Sequence, residues 1–109
     1  MSSEESFTRE HGDMLARHVT PARGRPYVHR CSLINFREVL WRIEALDTFT
    51  TADLWGLELP SSAASAALAF LKERGIVETT YRRRCVAASR CLFEDGMTEL
   101  FAMPRADTY

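Results

Sequence analysis

Histidine is scarce in this chain and confined to one end, with His11, His18 and His29 all preceding residue 30. A nucleophilic Ser, Cys or carboxylate needs a base and an orienting group beside it, and three histidines in one polar segment offer little to such an assembly. They read as solvated side chains. A Gly-rich phosphate loop, an HExxH pair and a GxSxG elbow are also missing, so the expectation is a protein that is not an enzyme. Cysteine is sparse too: Cys31, Cys85 and Cys91 are odd in number and lack a CxxC spacing. A secreted disulfide framework is therefore disfavoured, and reduced thiols in a cytoplasmic setting fit better. No run of about eighteen uncharged apolar residues occurs, and the opening MSSEESFTRE is acidic rather than a positive leader, so neither a membrane partner nor export is expected.

A net positive charge is missing as well. The formal value of -1 excludes a surface that grips a polyanion all round, because nonspecific DNA affinity comes mainly from Lys and Arg neutralising phosphates. Distribution matters more than the sum. Residues 31 to 60 carry Arg37 and Arg42 against Glu38, Glu44, Asp47, Asp53 and Glu58, an acidic stretch. Arg82, Arg83, Arg84 and Arg90 cluster further on, and Arg17, Arg23, Arg25 and Arg30 punctuate the opening segment, so an anion-binding face belongs to those two regions.

What is present is enough apolar residue, 46% of 109 positions, for one domain with one core. Residues 1–30 read as a polar N-terminal arm with room for a short helix over 7–19, followed by the helix-breaking TPARGRP. A domain over 31–104 follows, then a C-terminal tail over 105–109. Ser32 is a good N-cap, after which Leu33, Phe36, Leu40 and Ile43 recur at helical steps, predicting a helix that ends near Asp47. Thr50 and Asp53 have the spacing of a capping box for a second, short helix limited by Gly56 and Pro60. Ser61 or Ser62 caps a third, with Ala64, Leu68 and Leu71 as its apolar stripe and Gly75 as its stop. Leu40, Ile43, Leu68 and Leu71 are the expected heart of the core.

Beyond Gly75, IVETTYRRRCVAA and RCLFEDGMTELFAM are β-branched and aromatic-rich, predicting a two-stranded antiparallel ribbon that Pro104 ends. Its turn is open. A reversal near Ala88 and Ser89 pairs two long strands with Asp95-Gly96 as a bulge and makes Cys85 and Cys91 cross-strand neighbours; otherwise Met97 to Met103 alone pairs back. His29, Cys31, Cys85 and Cys91 are ligand types that zinc takes, but they lack short paired spacing, so no metal and no cofactor are expected. Trp41 and Trp55 read as core or interface anchors. Trp41 lies off the main stripe of its helix, and exposure there would indicate dimerisation or packing of the arm.

The stretch FTTADLWGLELPSSAASAALAFLKERGIVE, a capped helix, a turn, a Ser-rich helix start and an L-x-x-L-x-x-x-G-I-V exit, resembles bacterial winged helix-turn-helix regulators. The resemblance spans residues 33–103 and is to a superfamily. It implies an α+β fold, a three-helix core with a C-terminal β-ribbon wing, and a transcriptional regulator that binds double-stranded DNA as a homodimer. The start of the third helix would enter the major groove and the wing would lie on the backbone. Carried onto this sequence, Ser61, Ser62, Ala63, Ser65 and Ala66 would face DNA, with Arg82, Arg83, Arg84 and Arg90 on the wing. The sequence departs from the pattern at Ala66 and Ala69, where DNA-binding relatives often carry Arg or another long polar side chain. Short side chains cannot make the bidentate guanine contact that Arg makes.

Two functions therefore stand side by side. In one, the Arg-rich wing and basic arm supply DNA affinity, with selectivity from shape or dimer spacing. In the other, the domain is a protein-interaction or dimerisation module whose Ala/Ser helix is a packing surface. The run Tyr81-Arg82-Arg83-Arg84 suits a phosphate-gripping wing, yet it also suits a solvated strand face on which an Arg pairs with Glu78, Glu94 or Glu99.

Overall fold

The chain combines helices with two small antiparallel sheets in an α+β arrangement. A computed structural model describes residues 3–46, 48–55, 59–81 and 84–105, apart from the side chain of Trp55. Asp47 and Gly56, expected at helix ends, lie outside the described residues, as do Arg82 and Arg83. The packing of Trp55 is likewise outside them.

The opening segment is a sheet rather than an arm with a helix. Strands β1 (Glu4–Glu10), β2 (Met14–Thr20) and β3 (Tyr27–Cys31) lie in that order, with Phe7 opposite Arg17 and Leu15 opposite Cys31. The expected helix over 7–19 fails because the chain reverses at Gly12 and Asp13, both at positive φ. That conformation breaks a helix and closes a hairpin. Alternation places Phe7, Leu15, Val19 and Cys31 on one side, and Leu15 and Cys31 belong to the main core.

Helix α1 (Leu33–Glu44) starts at Ser32, whose side chain accepts a hydrogen bond from the Asn35 amide at 3.2 Å, and it buries Phe36, Val39, Leu40 and Ile43. Strand β4 (Thr48–Phe49) leads into helix α2 (Thr51–Trp55). There the Thr50 amide donates to Asp53 Oδ2 at 2.8 Å, one half of the expected capping box. Helix α3 (Ser61–Glu73) is capped at Pro60, not at Ser61 or Ser62, and no side chain caps it. It ends in a left-handed Gly75 at φ 75°, with the Ile76 amide reaching Leu71 O and the Gly75 amide reaching Lys72 O. These two hydrogen bonds satisfy carbonyls that the helix end would leave orphaned. Leu40, Ile43, Leu68 and Leu71 are all buried in one core.

The ribbon is shorter than expected. Strand β5 (Val77–Thr79) pairs with β6 (Cys85–Ala87) in a register that puts Thr79 opposite Cys85, so the reversal lies across 80–84 rather than near Ala88. β4 pairs with the other edge of β6, giving the order β4-β6-β5. The second expected strand is instead helix α4 (Leu92–Ala102). Leu92, Gly96 and Leu100 recur at four-residue steps and are buried, and the absence of a side chain at Gly96 lets the helix approach Leu40 of α1. A helical period has prevailed over the turn-like Asp95-Gly96 pair. Cys91 sits exposed just before α4, so it is no cross-strand neighbour of the buried Cys85.

Candidate nucleic-acid interface

Helix α3 is packed against α1 on one side and against β2 and β3 on another. Phe70 shows how it is held, with its ring 5.4 Å from Phe7 of the sheet and 5.9 Å from Phe36 of α1, both edge-on. Ala63, Ala64, Ala66 and Ala67 are buried along the same length. Small side chains are what allow two neighbours to close on one helix.

This packing divides the residues expected to face DNA. Ala63 and Ala66 do not: they are buried, because the sheet built from the opening segment occupies part of the helix surface. Ser61, Ser62 and Ser65 keep a solvent-facing arc that continues through Ala69, Lys72 and Glu73. A shallow groove follows this arc, flanked by Glu5 and Arg17 of the sheet and Thr51 of α2. Arg17 is not free to meet a phosphate, since its guanidinium pairs with Glu5 at 2.5 Å. Opposed charges line the groove in equal numbers, Glu5 and Glu73 against Arg17 and Lys72.

The hairpin supplies the second part. Its tip presents Tyr81, 81% exposed, and Arg84, which donates to Thr48 Oγ1 from Nη2 at 2.6 Å and from Nε at 3.3 Å. Thr80 closes the loop, its amide reaching Arg84 O. Arg90 does not join this tip. It follows the base of the hairpin, where Ala88 pairs with Ile76, and lies exposed beside Trp41, Phe93, Glu44 and Glu94. Arg84 and Arg90, close in sequence, are parted because β6 separates the tip from the residues before α4.

The basic opening segment is also divided. Arg30 pairs with Glu10 at 2.7 Å, whereas Arg23 and Arg25 are exposed in the β2–β3 loop and in no ion pair with another described residue. Arg9, not singled out by the sequence, is structural: its guanidinium donates to Met103 O at 2.9 and 3.1 Å, pairs with Asp13 and lies over the Phe101 ring. Its signal was only an Arg at an inward strand position.

His11 is exposed as expected, but His18 and His29 are less solvated than their setting implies. His18 shares a 2.8 Å hydrogen bond with Thr8, and His29 is half-buried against Tyr27 because both lie within the sheet. Among the described residues no group of three His, Cys, Asp or Glu side chains is placed to hold a metal. Among them, too, no helix is long and apolar enough to cross a membrane.

Comparison with known protein families, characterised proteins and solved structures returned no match.

Proposed function

We propose that the chain is a winged helix-turn-helix domain that binds double-stranded DNA as a homodimer and regulates transcription in the cytoplasm, acting by binding rather than catalysis. One observation carries the reading. The order α1-β4-α2-α3-β5-β6, with β4 and β5 on either side of β6, places a helix pair between the first strand and a hairpin whose loop is TYRRR. A helix-turn-helix beside a β-ribbon offers DNA two contacts at once, a helix start and a loop on the backbone. In this chain Ser61, Ser62 and Ser65 remain for the helix contact, and Tyr81 and Arg84, with Arg82 and Arg83 between them in sequence, for the loop.

With no long polar side chain among those serines, contact falls on phosphates rather than base edges, and affinity is dominated by the arginines. Replacing Arg82, Arg83 and Arg84 together by Gln is expected to weaken binding to random duplex. The slope of log affinity against log salt should flatten by roughly one to three units. Changing Ser62 and Ser65 to Ala should do less, because neutral hydroxyl contacts contribute less than charged ones. Fluorescence anisotropy across a salt series reads both effects. An unchanged slope in the arginine variant removes the loop from the interface.

A protein-interaction module is the second reading, favoured by Trp41, which is 52% exposed and stacked on Phe93 at 5.4 Å. Absence of duplex binding at low salt would select it.

A further inference from the structure

The longest stretch of this chain without a carboxylate runs from Asp13 to Glu38, and between them it carries five arginines: Arg17, Arg23, Arg25, Arg30 and Arg37. The fold engages three of these. Arg17 pairs with Glu5, Arg30 pairs with Glu10, and Arg37 lies over the Trp41 and Phe93 rings at 5.6 and 5.9 Å. Arg23 and Arg25 are left over, both exposed and in no ion pair with another described residue.

Both stand in the connection between β2 and β3, Pro21-Ala22-Arg23-Gly24-Arg25-Pro26. Pro21 and Pro26 have no amide to donate and fix their own φ, so the sheet ladder stops there and the loop stands clear of it. Residues 22–28 are all exposed. Pro26 steers Arg25 away from helical backbone, and Gly24 takes φ 101°, a value that side chains rarely allow. The middle of the loop is therefore bare backbone with a guanidinium arm on each side.

The loop springs from the strand end that borders the groove along α3. Val19 at that end pairs with Glu5 on one side and Tyr27 on the other, and Glu5 and Arg17 flank the groove. Of the two carboxylates near its root, Glu5 is held by Arg17, and Glu4, opposite Thr20, belongs to the other face of the sheet.

Shape and charge select the ligand. A helix about 10 Å across needs the major groove of a duplex, whereas the minor groove, about 6 Å wide, admits an extended segment of chain. The floor of that groove carries only acceptors at A·T pairs, adenine N3 and thymine O2, and guanidinium groups have only donors to offer. At G·C pairs the guanine amino group, a further donor, stands in the way. A·T tracts also narrow the groove and deepen its negative potential, which favours inserted arginine.

We propose that the β2–β3 loop enters the minor groove of A·T-rich duplex DNA, with Gly24 letting the backbone approach the floor and Arg23 and Arg25 donating to the base-edge acceptors. The inference rests on the DNA-binding reading and adds a source of sequence preference that the serines of α3 do not supply.

Fluorescence anisotropy of the full chain with A·T, G·C and inosine·cytosine duplexes of equal length tests it. Inosine lacks the 2-amino group of guanine, so the inosine·cytosine duplex offers the minor-groove groups of A·T and the major-groove pattern of G·C. Wild type should bind the A·T and inosine·cytosine duplexes roughly tenfold more tightly than the G·C duplex. Arg23→Gln with Arg25→Gln should abolish that preference, whereas the variant with Gln at Arg82, Arg83 and Arg84 should bind all the duplexes more weakly and keep it. Equal affinities in the wild type, inosine·cytosine behaving as G·C, a preference retained without Arg23 and Arg25, or one lost with the hairpin arginines overturns the proposal and leaves duplex binding standing. Should the Arg23 and Arg25 variant fail to fold by circular dichroism, the wild-type comparison of the duplexes decides, since it needs no substitution. A wild type that binds no duplex even at low salt overturns the DNA-binding reading itself, and the loop's role with it.

Discussion

Cys31 ends β3 directly before the Ser32 cap, fully buried, its thiol facing Ser32 O at 3.6 Å. Burial pushes that thiol up from an ordinary 9.0 to about 12, because the thiolate would lose its hydration without gaining a cation. The sign follows from linkage. The folded state holds its proton more tightly than the unfolded state, so the contribution to stability is fully present below about 9 and is lost as pH rises toward about 12. The stability difference between wild type and Cys31→Ala, measured by urea unfolding, should therefore shrink across that window. At about pH 8 a thiol reagent should label only Cys91 quickly, since Cys31 and Cys85 are buried, with mass spectrometry of tryptic peptides giving the site. Rapid labelling of Cys31 in the folded protein would contradict its placement.

Among the elements, α4 depends most on a single position. A Cβ added at Gly96 would stand 2.6 Å from Leu40 Cδ2 and 3.0 Å from Cδ1, so Leu40, itself fully buried, would have to shift to admit it. Gly96→Val should destabilise by about 1 to 3 kcal/mol through overpacking, read as a lowered midpoint in thermal unfolding. Shortening the opposing side chain, in Gly96→Val with Leu40→Ala, should recover part of that loss, which an effect confined to helix propensity would not allow. This helix also marks where sequence patterns can mislead. Asp95-Gly96 carries turn chemistry and the neighbouring aromatics suit strands, so the local preferences oppose the helical recurrence of Leu92, Gly96 and Leu100, and only contact with α1 decides between them. Helices α1 and α3 were legible because their periodicity, the Ser32 cap and the Gly75 stop all agree. Sheet residues 4–31 were not. Arg9 and Arg17 occupy inward strand positions and obscure the alternation, and the three-residue reversal at His11 to Asp13 is easily read as part of a polar arm. In the candidate interface, Ser61, Ser62 and Ser65 were recoverable from helix order, whereas the burial of Ala63 and Ala66 depends on a sheet the patterns did not disclose.

At the scale of the whole molecule, the sheet and the helical region share one core. Phe7 meets Phe70, Leu15 and Cys31 lie among the residues of α1 and α3, and Arg9 fastens β1 to the end of α4. A chain beginning at Ser32 would leave Phe70 without its contact to Phe7, at a cost of about 1 to 2 kcal/mol there, and would remove Leu15 and Cys31 from the core. Such a truncation should unfold at a lower temperature or without a cooperative transition, and bind a hydrophobic dye in the cold. Cooperative melting at an unchanged midpoint would establish that residues from Ser32 onward are sufficient without the sheet.

The hydrogen bonds from Arg9 to Met103 span a sequence separation of 94. A ribosome adding about 5 to 20 residues per second needs roughly 5 to 20 s to make the intervening chain. Within that interval the three strands, complete at Cys31, are made before the helices that cover them. They can pair with one another early, but Phe7 on their inner side has no Phe70 ring to pack on until α3 is made. The nascent protein therefore passes through a period in which a small, half-finished sheet is its stickiest part, and the last turn of α4 is the piece that brings that period to a close.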